Sequence, residues 1–388
     1  MTAPLEQALG VGILLLFLLD VFLTVLYARI GTGLVSPWIA RLVWRAMRGV
    51  AAPFGRRRGA VLAFCGPIIL VAFVVVWTLG LTLGAALLIH PALGSGVRVS
   101  EGPTPTDFVA ALYAGGTSLA ITGSSEFSPQ TSGWRLVYLF LSLVGTAVVS
   151  LTLTYLMQVY GALQRRNALG LQLHAQSGET ADAAELLARL GPDGQFSGGY
   201  NNLSEVATQL TQVKEAHHHY PVLFYFRFQE PFYEVSRITL LALDTATLTG
   251  SALSDDEYGW LRRSAAVAQL RRVSLLLLTS LEENFVTHDS PGDAVQPDER
   301  TQARWRRRHA DAVDRLRQAG IATVADEREG AASYVALRTE WDGHVAALAP
   351  AMLYDMEEID PAGSRAGAAE RRPDSPALRH PPGERVGR

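Results

Sequence analysis

Residues 107–129 read DFVAALYAGGTSLAITGSSEFSP, and what this stretch does decides what kind of fold the chain has. Its first part, Asp107 to Ala120, is apolar but far short of the roughly 20 residues a helix needs to cross a hydrocarbon core. A turn rich in Ser, Thr and Gly follows, from Ser118 to Pro129, and then a long apolar run begins. Irregular backbone at membrane depth persists only where protein buries it or where it lines a watery path. A short re-entrant helix returning through a loop meets that constraint. Thr104 or Thr106 as N-cap, with Asp107 in the first turn, would start this helix at the outer surface. The partial negative charge of its C-terminus would then point into the membrane, where a cation would need it.

Working outward, three runs are long enough to span: Leu9 to Tyr27, Ala60 to Ile89 and Leu136 to Tyr160. The bulk composition, 388 residues with 48% hydrophobic content and a formal charge of −3, fits a soluble enzyme as well as a membrane protein. Its distribution does not, because nearly all the uninterrupted apolar sequence precedes Tyr160. Met1 to Glu6 carries no Lys or Arg, so the first run reads as a retained helix and not as a signal peptide. Arg29, Arg41, Arg45, Arg48, Arg56, Arg57 and Arg58 lie between the first two runs with no acidic residue among them, and Arg165 and Arg166 follow the third. The excess of arginine places both regions in the cytoplasm, and hence the N-terminus and the segment His90 to Arg135 outside. The multi-pass chain is thereby expected in the cell membrane. Leu34 to Val50 reads either as a basic amphipathic helix on the inner leaflet or as a determinant of topology alone. Asp20 interrupts the first run, where a charge is costly; it either senses ions or protons or bonds to a neighbouring helix. The single cysteine, Cys65, excludes an intramolecular disulfide.

Leu112 to Pro129 resembles the pore helix, filter and outer mouth of the potassium-channel pore family, whose usual run is Thr-Leu-Thr-Thr-Val-Gly-Tyr-Gly-Asp-x-x-Pro. Ser118 stands for the first Thr, Leu119 matches, Gly123 matches the first filter glycine, Glu126 stands for the Asp and Pro129 matches the Pro. Tyr113 falls at the family's pore-helix aromatic, and Gly145 at its gating-hinge glycine. The resemblance extends over about Ala60 to Tyr160. It implies a homotetramer with Ala60 to Ile89 as outer helix and Leu136 to Tyr160 as inner helix, conducting a monovalent cation such as potassium without any cofactor. The filter would comprise Ile121, Thr122, Gly123, Ser124 and Ser125, with Glu126 either forming an acidic ring at the outer mouth or hydrogen-bonding behind the filter. Ala120 and Ile121 replace the family's two threonines, Ser124 its tyrosine and Ser125 its second glycine, and these departures argue against strict potassium selectivity. They also keep open a second function, a non-conducting membrane sensor or scaffold that retains the pore architecture. The first run has no ladder of arginines and makes a poor voltage sensor.

The expected fold is thus all-α: three transmembrane helices, a re-entrant pore helix and filter loop, and a cytoplasmic helical domain. The corresponding boundaries are 1–59 for the first helix and basic linker, 60–162 for the pore module, 163–358 for the cytoplasmic domain and 359–388 for a disordered tail rich in Pro, Gly, Ala, Ser and Arg. Apolar stripes in Phe232 to Leu248 and Tyr258 to Phe285 predict packed helices, with breaks at Gly191 to Gly199 and Asp289 to Asp293. His217, His218 and His219 are consecutive and point different ways on a helix, which suits a structural helix end better than a metal site. The aromatic run Tyr220 to Phe228 reads as a core-seeking strand or turn. Arg304 to Arg308 suits a solvated helix face balanced by Asp311, Asp314 and Asp326 better than contact with lipid or nucleic acid. The glycines near Gly199 lack GxGxxG spacing, and no constellation of side chains suggests an enzyme or names a ligand for the cytoplasmic part.

Overall fold

Near-uniform apolarity and a proline in the first turn start α1 (Ala3–Val21), which continues through one π turn, Phe22–Leu26. The computed structural model describes residues 2–27, 29, 32–120, 126–286, 297–361 and 363. After α1 come α2 (Ser36–Ala51), a 3-10 turn at Ala52–Arg57, α3 (Arg58–Leu62) and α4 (Cys65–Ile89). Gly55 takes φ 48° inside the 3-10 turn, a conformation open to glycine, and the chain kinks there. The strand β1 (Val97–Val99) precedes α5 (Phe108–Leu119), β2 (Phe127–Pro129) follows it, and α6 (Ser132–Gln176) is one helix of 45 residues. Three helical stretches, Ala3–Leu26, Arg58–Ala92 and Ser132–Gln176, are long and apolar enough to cross a membrane, in agreement with the three runs in the sequence.

The chain divides into two compact units. The first comprises Met1–Gly170 with Thr208–Val235 and Thr279–Val286. In it α1 and α4 run antiparallel in close contact. His90 Nδ1 lies 2.6 Å from Glu6 Oε1 at one end, and Trp77 Nε1 donates to Asp20 Oδ2 at 2.8 Å toward the other. Between these points glycines remove the side chains that would separate the backbones. A Cβ on Gly10 would lie 2.7 Å from the Gly84 carbonyl oxygen. The core of this unit collects Leu14 of α1, Leu81, Ala85 and Ile89 of α4, Ala111 and Ala114 of α5, Phe127 of β2 and Leu141 of α6.

The aromatic run beyond α8 (Ser197–His219) belongs to this same unit. It forms a 3-10 turn, Pro221–Tyr225, with Val222 to Phe226 buried. Tyr225 meets Trp44 of α2 at a centroid distance of 5.6 Å, Phe226 meets Tyr160 of α6 at 6.0 Å, and Phe224 stacks on Phe285 at 4.1 Å. Arg166 is only 1% exposed and donates to the carbonyls of Leu223 and Phe226, both at 3.1 Å. The arginine that marks topology in the sequence thus also pins the aromatic turn.

The second unit comprises Leu171–Ala207, Ser236–Leu278 and Thr287–Arg388. Its helices include the end of α6, α7 (Ala183–Leu190), the first part of α8, α9 (Val235–Ser251), α10 (Asp255–Arg262), the first part of α11 (Ala265–Phe285), α12 (Glu299–Gln318), α13 (Glu327–Thr339), α14 (Asp342–Ala351) and α15 (Met356–Ile359). A 3-10 turn at Pro192–Gly194 occupies the first expected break; the second, Asp289 to Asp293, lies outside the described residues. Buried hydroxyls along α9 are satisfied within the helix, as Thr245, Thr247 and Thr249 donate to the carbonyls four residues earlier. At the centre of the unit Arg308 pairs with Asp244 and Asp360, each at 2.7 Å, and Arg338 pairs with Asp244 at 3.2 Å and Asp360 at 3.3 Å. Tyr334 donates to Asp244 Oδ1 at 2.6 Å. Two sequence expectations change here. Arg308 is buried in this network and not on a solvated face, because two distant carboxylates compensate it. Ile359 and Asp360, assigned from sequence to the tail, are buried; 364–388 lie outside the described residues.

Candidate pore segment

The short helix forms where the sequence places it, with a different cap. Asp107, in an extended conformation, is the N-cap and accepts a hydrogen bond from Ala110 N at 3.0 Å. Thr106 and Thr104 do not cap the helix: a carboxylate accepts more strongly than a hydroxyl, and Thr104 Oγ1 accepts instead from Val99 N at 3.3 Å. One face of α5, Ala110, Ala111, Ala114 and Gly115, packs on α4. A Cβ on Gly115 would lie 2.7 Å from Ala86 N, so the two helices touch backbone to backbone. Tyr113 stands half exposed with its ring edge-on to Phe127 at 6.2 Å.

At its C-terminus α5 turns out into extended backbone at Ala120. The Thr117 and Ser118 hydroxyls donate back into the helix, to Tyr113 O and Gly115 O, both at 2.7 Å. Ile121, Thr122, Gly123, Ser124 and Ser125, the residues expected to form the filter, lie outside the described residues. What holds the ends of that segment is visible. β1 and β2 pair antiparallel, with Val97 opposite Pro129 and Val99 opposite Phe127. Ser100 N donates to the Glu126 carbonyl at 3.1 Å, and Gln130 N to the Gly96 carbonyl at 2.8 Å. The ribbon therefore fastens the chain leaving the segment to the chain that precedes α5. Glu126 is exposed, with its carboxylate on the surface of the single chain.

Gly145 lies in uninterrupted α6, buried against the end of α5. A Cβ built there would overlap the Leu119 carbonyl, so α6 crosses the last turn of α5 in direct backbone contact. The resemblance implies a hinge at Gly145; the structure shows this close approach there.

Two arrangements escaped the sequence reading. The buried face of α6 runs through Leu141, Gly145, Thr152, Tyr155 and Val159. Its exposed side carries Thr146, Ser150, Thr154 and Gln158, a polar stripe at intervals of four through the apolar part of the helix. Thr146 and Thr154 donate to the carbonyls of Ser142 and Ser150, both at 2.9 Å. The i, i+4 spacing was readable, but the hydrophobicity of the run concealed it. The second arrangement is around Asp20, which is fully buried. Its Oδ1 accepts from Leu34 N and Val35 N at 2.7 Å and Ser36 N at 3.3 Å; its Oδ2 accepts from Ser36 Oγ at 2.6 Å and Trp77 Nε1 at 2.8 Å. The carboxylate thus caps α2 from α1 and bonds to the neighbouring α4.

The three histidines end α8. Only His217 is buried; its Nδ1 lies 2.9 Å from the Val213 carbonyl. Burial and then the nearby Arg166 charge push His217 down to about 3. Among the described residues no group of three His, Cys, Asp or Glu side chains could hold a metal.

These features define a mostly helical membrane protein with three helices fit to span and one short apolar helix packed among them. The chain is similar to the uncharacterized membrane protein YdjJ of Bacillus subtilis (strain 168), with 21% identity over 237 residues covering 61% of this chain and 67% of that protein. No family model and no solved structure matches it.

Proposed function

We propose that the chain conducts monovalent cations as a homotetramer, with α6 lining the path and the segment from Ile121 to Ser125 at its narrowest part. The observation that carries this reading is the exposed stripe of Thr146, Ser150, Thr154 and Gln158 on a helix long enough to span. Ser, Thr and Gln side chains inside a bilayer are enriched where helices meet one another. A single chain leaves the stripe uncovered, and closed rotational symmetry would gather four copies of it around one axis. The end of α5, seated on Gly145, would aim its carbonyl dipoles toward that axis. In this reading Glu126 sits at the outer mouth, the N-terminus lies outside, and the second unit is cytoplasmic, as the arginines between the first two spans favour. The protein is not an enzyme in this reading and needs no cofactor.

Ion flux in liposomes tests it, comparing potassium, sodium and a large organic cation. Flux of the small cations that Gly123→Asp abolishes is the expected result. Absence of flux under every gradient, pH and divalent-ion condition would favour the non-conducting sensor or scaffold.

A further inference from the structure

We infer that a cavity between α2, α4, α6 and the Pro221–Tyr225 turn binds the phosphate headgroup of an anionic phospholipid, with Arg29 and Arg41 as its charge partners. The cavity, about 390 Å³, lies wholly within the first unit. One wall is apolar and buried, built from Phe73 of α4, Tyr155 of α6, and Val222 and Tyr225 of the turn. Arg29 and Arg41 also line the cavity.

Neither arginine has a carboxylate partner among the described residues. The acid that bonds to the cavity-lining Ser36 is Asp20, and its two oxygens already accept five hydrogen bonds, three of them from the backbone at the start of α2. The helix terminus is thereby satisfied internally, and the positive charge left at the cavity is that of the guanidinium groups. Arg41 is also held in place. Its Nε donates to the Pro37 carbonyl at 3.1 Å and its guanidinium lies 4.7 Å from the Trp38 ring centroid, which leaves the terminal nitrogens for a ligand. Guanidinium groups lining one cavity can offer several planar donors to the oxygens of a phosphate.

A lipid, and not free phosphate, is favoured by what surrounds the arginines. Trp38 and Leu42 are 66% and 67% exposed beside Arg41 on α2, the pattern of a helix lying in a membrane interface. Phe73 and Tyr155 belong to helices long enough to span, so an acyl chain leaving the cavity would run along membrane-embedded surface. The inference stands apart from conduction and holds for a channel or a scaffold alike.

Native mass spectrometry of the full chain, purified in neutral detergent and incubated with phosphatidylglycerol or phosphatidylcholine, tests it. Retained phosphatidylglycerol should fall about tenfold or more in Arg29→Gln/Arg41→Gln, and less than about twofold in Arg45→Gln/Arg48→Gln, which removes equal charge from α2 away from the cavity. Equal losses in the two variants, no loss in the first, or equal retention of phosphatidylcholine would overturn the proposal. Melting of the wild-type chain gives a measurement that needs no variant. Phosphatidylglycerol should raise the melting temperature and saturate, whereas inorganic phosphate alone should not; an equal rise with phosphate would assign the cavity to a free anion and sink the lipid site.

Discussion

Trp77 Nε1 donates to Asp20 Oδ2 across 57 residues of sequence, and through that carboxylate α4 is joined to the first turn of α2. Asp20→Ala leaves five donors without their acceptor in a buried site and should lower stability by at least ~3 kcal/mol, while Trp77→Phe, which removes one donor, should cost about 1–3 kcal/mol. Thermal melts in detergent check both. If Asp20→Ala melts like wild type, the carboxylate has no structural role.

Gly145→Ala places a methyl group on the Leu119 carbonyl and should separate α5 from α6, costing about 1–3 kcal/mol with loss of any flux. Gly116→Ala, whose Cβ would meet only Thr82 Cγ2 at 3.5 Å, should be tolerated. Limited proteolysis alongside liposome flux separates the two. Equal sensitivity at both positions would mean that the contact with Leu119 does not govern this region, since alanine is the better helix former at either site.

The buried network in the second unit should respond steeply to charge removal. Asp244→Ala leaves Arg308 and Arg338 to share Asp360 in a buried site and should cost about 3–5 kcal/mol. Burial alone would raise Asp360, but Arg308 and Arg338 outweigh it and hold its carboxyl well below the usual range. The stability that Asp360 contributes is therefore present above the unfolded carboxylate value of about 3.9 and lost as pH falls below it. Asp360→Asn should abolish that part of the acid sensitivity in a denaturation series.

His217 acts in a different pH window. It is neutral when folded, with its value pushed down to about 3, whereas the unfolded chain takes up a proton near pH 6.5. Stability should fall as pH drops below about 6.5, by up to ~1.4 kcal/mol per pH unit. His217→Gln should flatten the curve between that point and about pH 4. An unchanged slope would show that His217 is hydrated.

Cysteines placed at Thr146, Ser150, Thr154 and Gln158 in a Cys65→Ala background should react with a charged, water-soluble thiol reagent in membranes. Cysteines at Leu139 and Leu153, also exposed but apolar, should react much more slowly. Uniform protection of all six would place the polar stripe in lipid or against protein.

The spans were legible because a bilayer imposes length and apolarity locally, and α5 was legible because it is apolar yet too short. What escaped the sequence depends on distant partners. Arg166 looks like a topology signal until Leu223 and Phe226 supply its acceptors, and Arg308 looks solvated until Asp244 and Asp360 meet it. Asp20 announces an anomaly without revealing that α2 starts beside it. The apolar run stops at Tyr160, but α6 continues to Gln176 because Gln164, Arg165 and their neighbours are good helix formers.

The contact between Gly145 and Leu119 makes the two helices a mechanical pair. With no side chain between them to act as a cushion, α6 cannot roll about its long axis without pushing on the last carbonyl of α5. A rotation of α6 at Gly145 would therefore be felt at once at the adjoining Ala120, where α5 gives way to extended backbone.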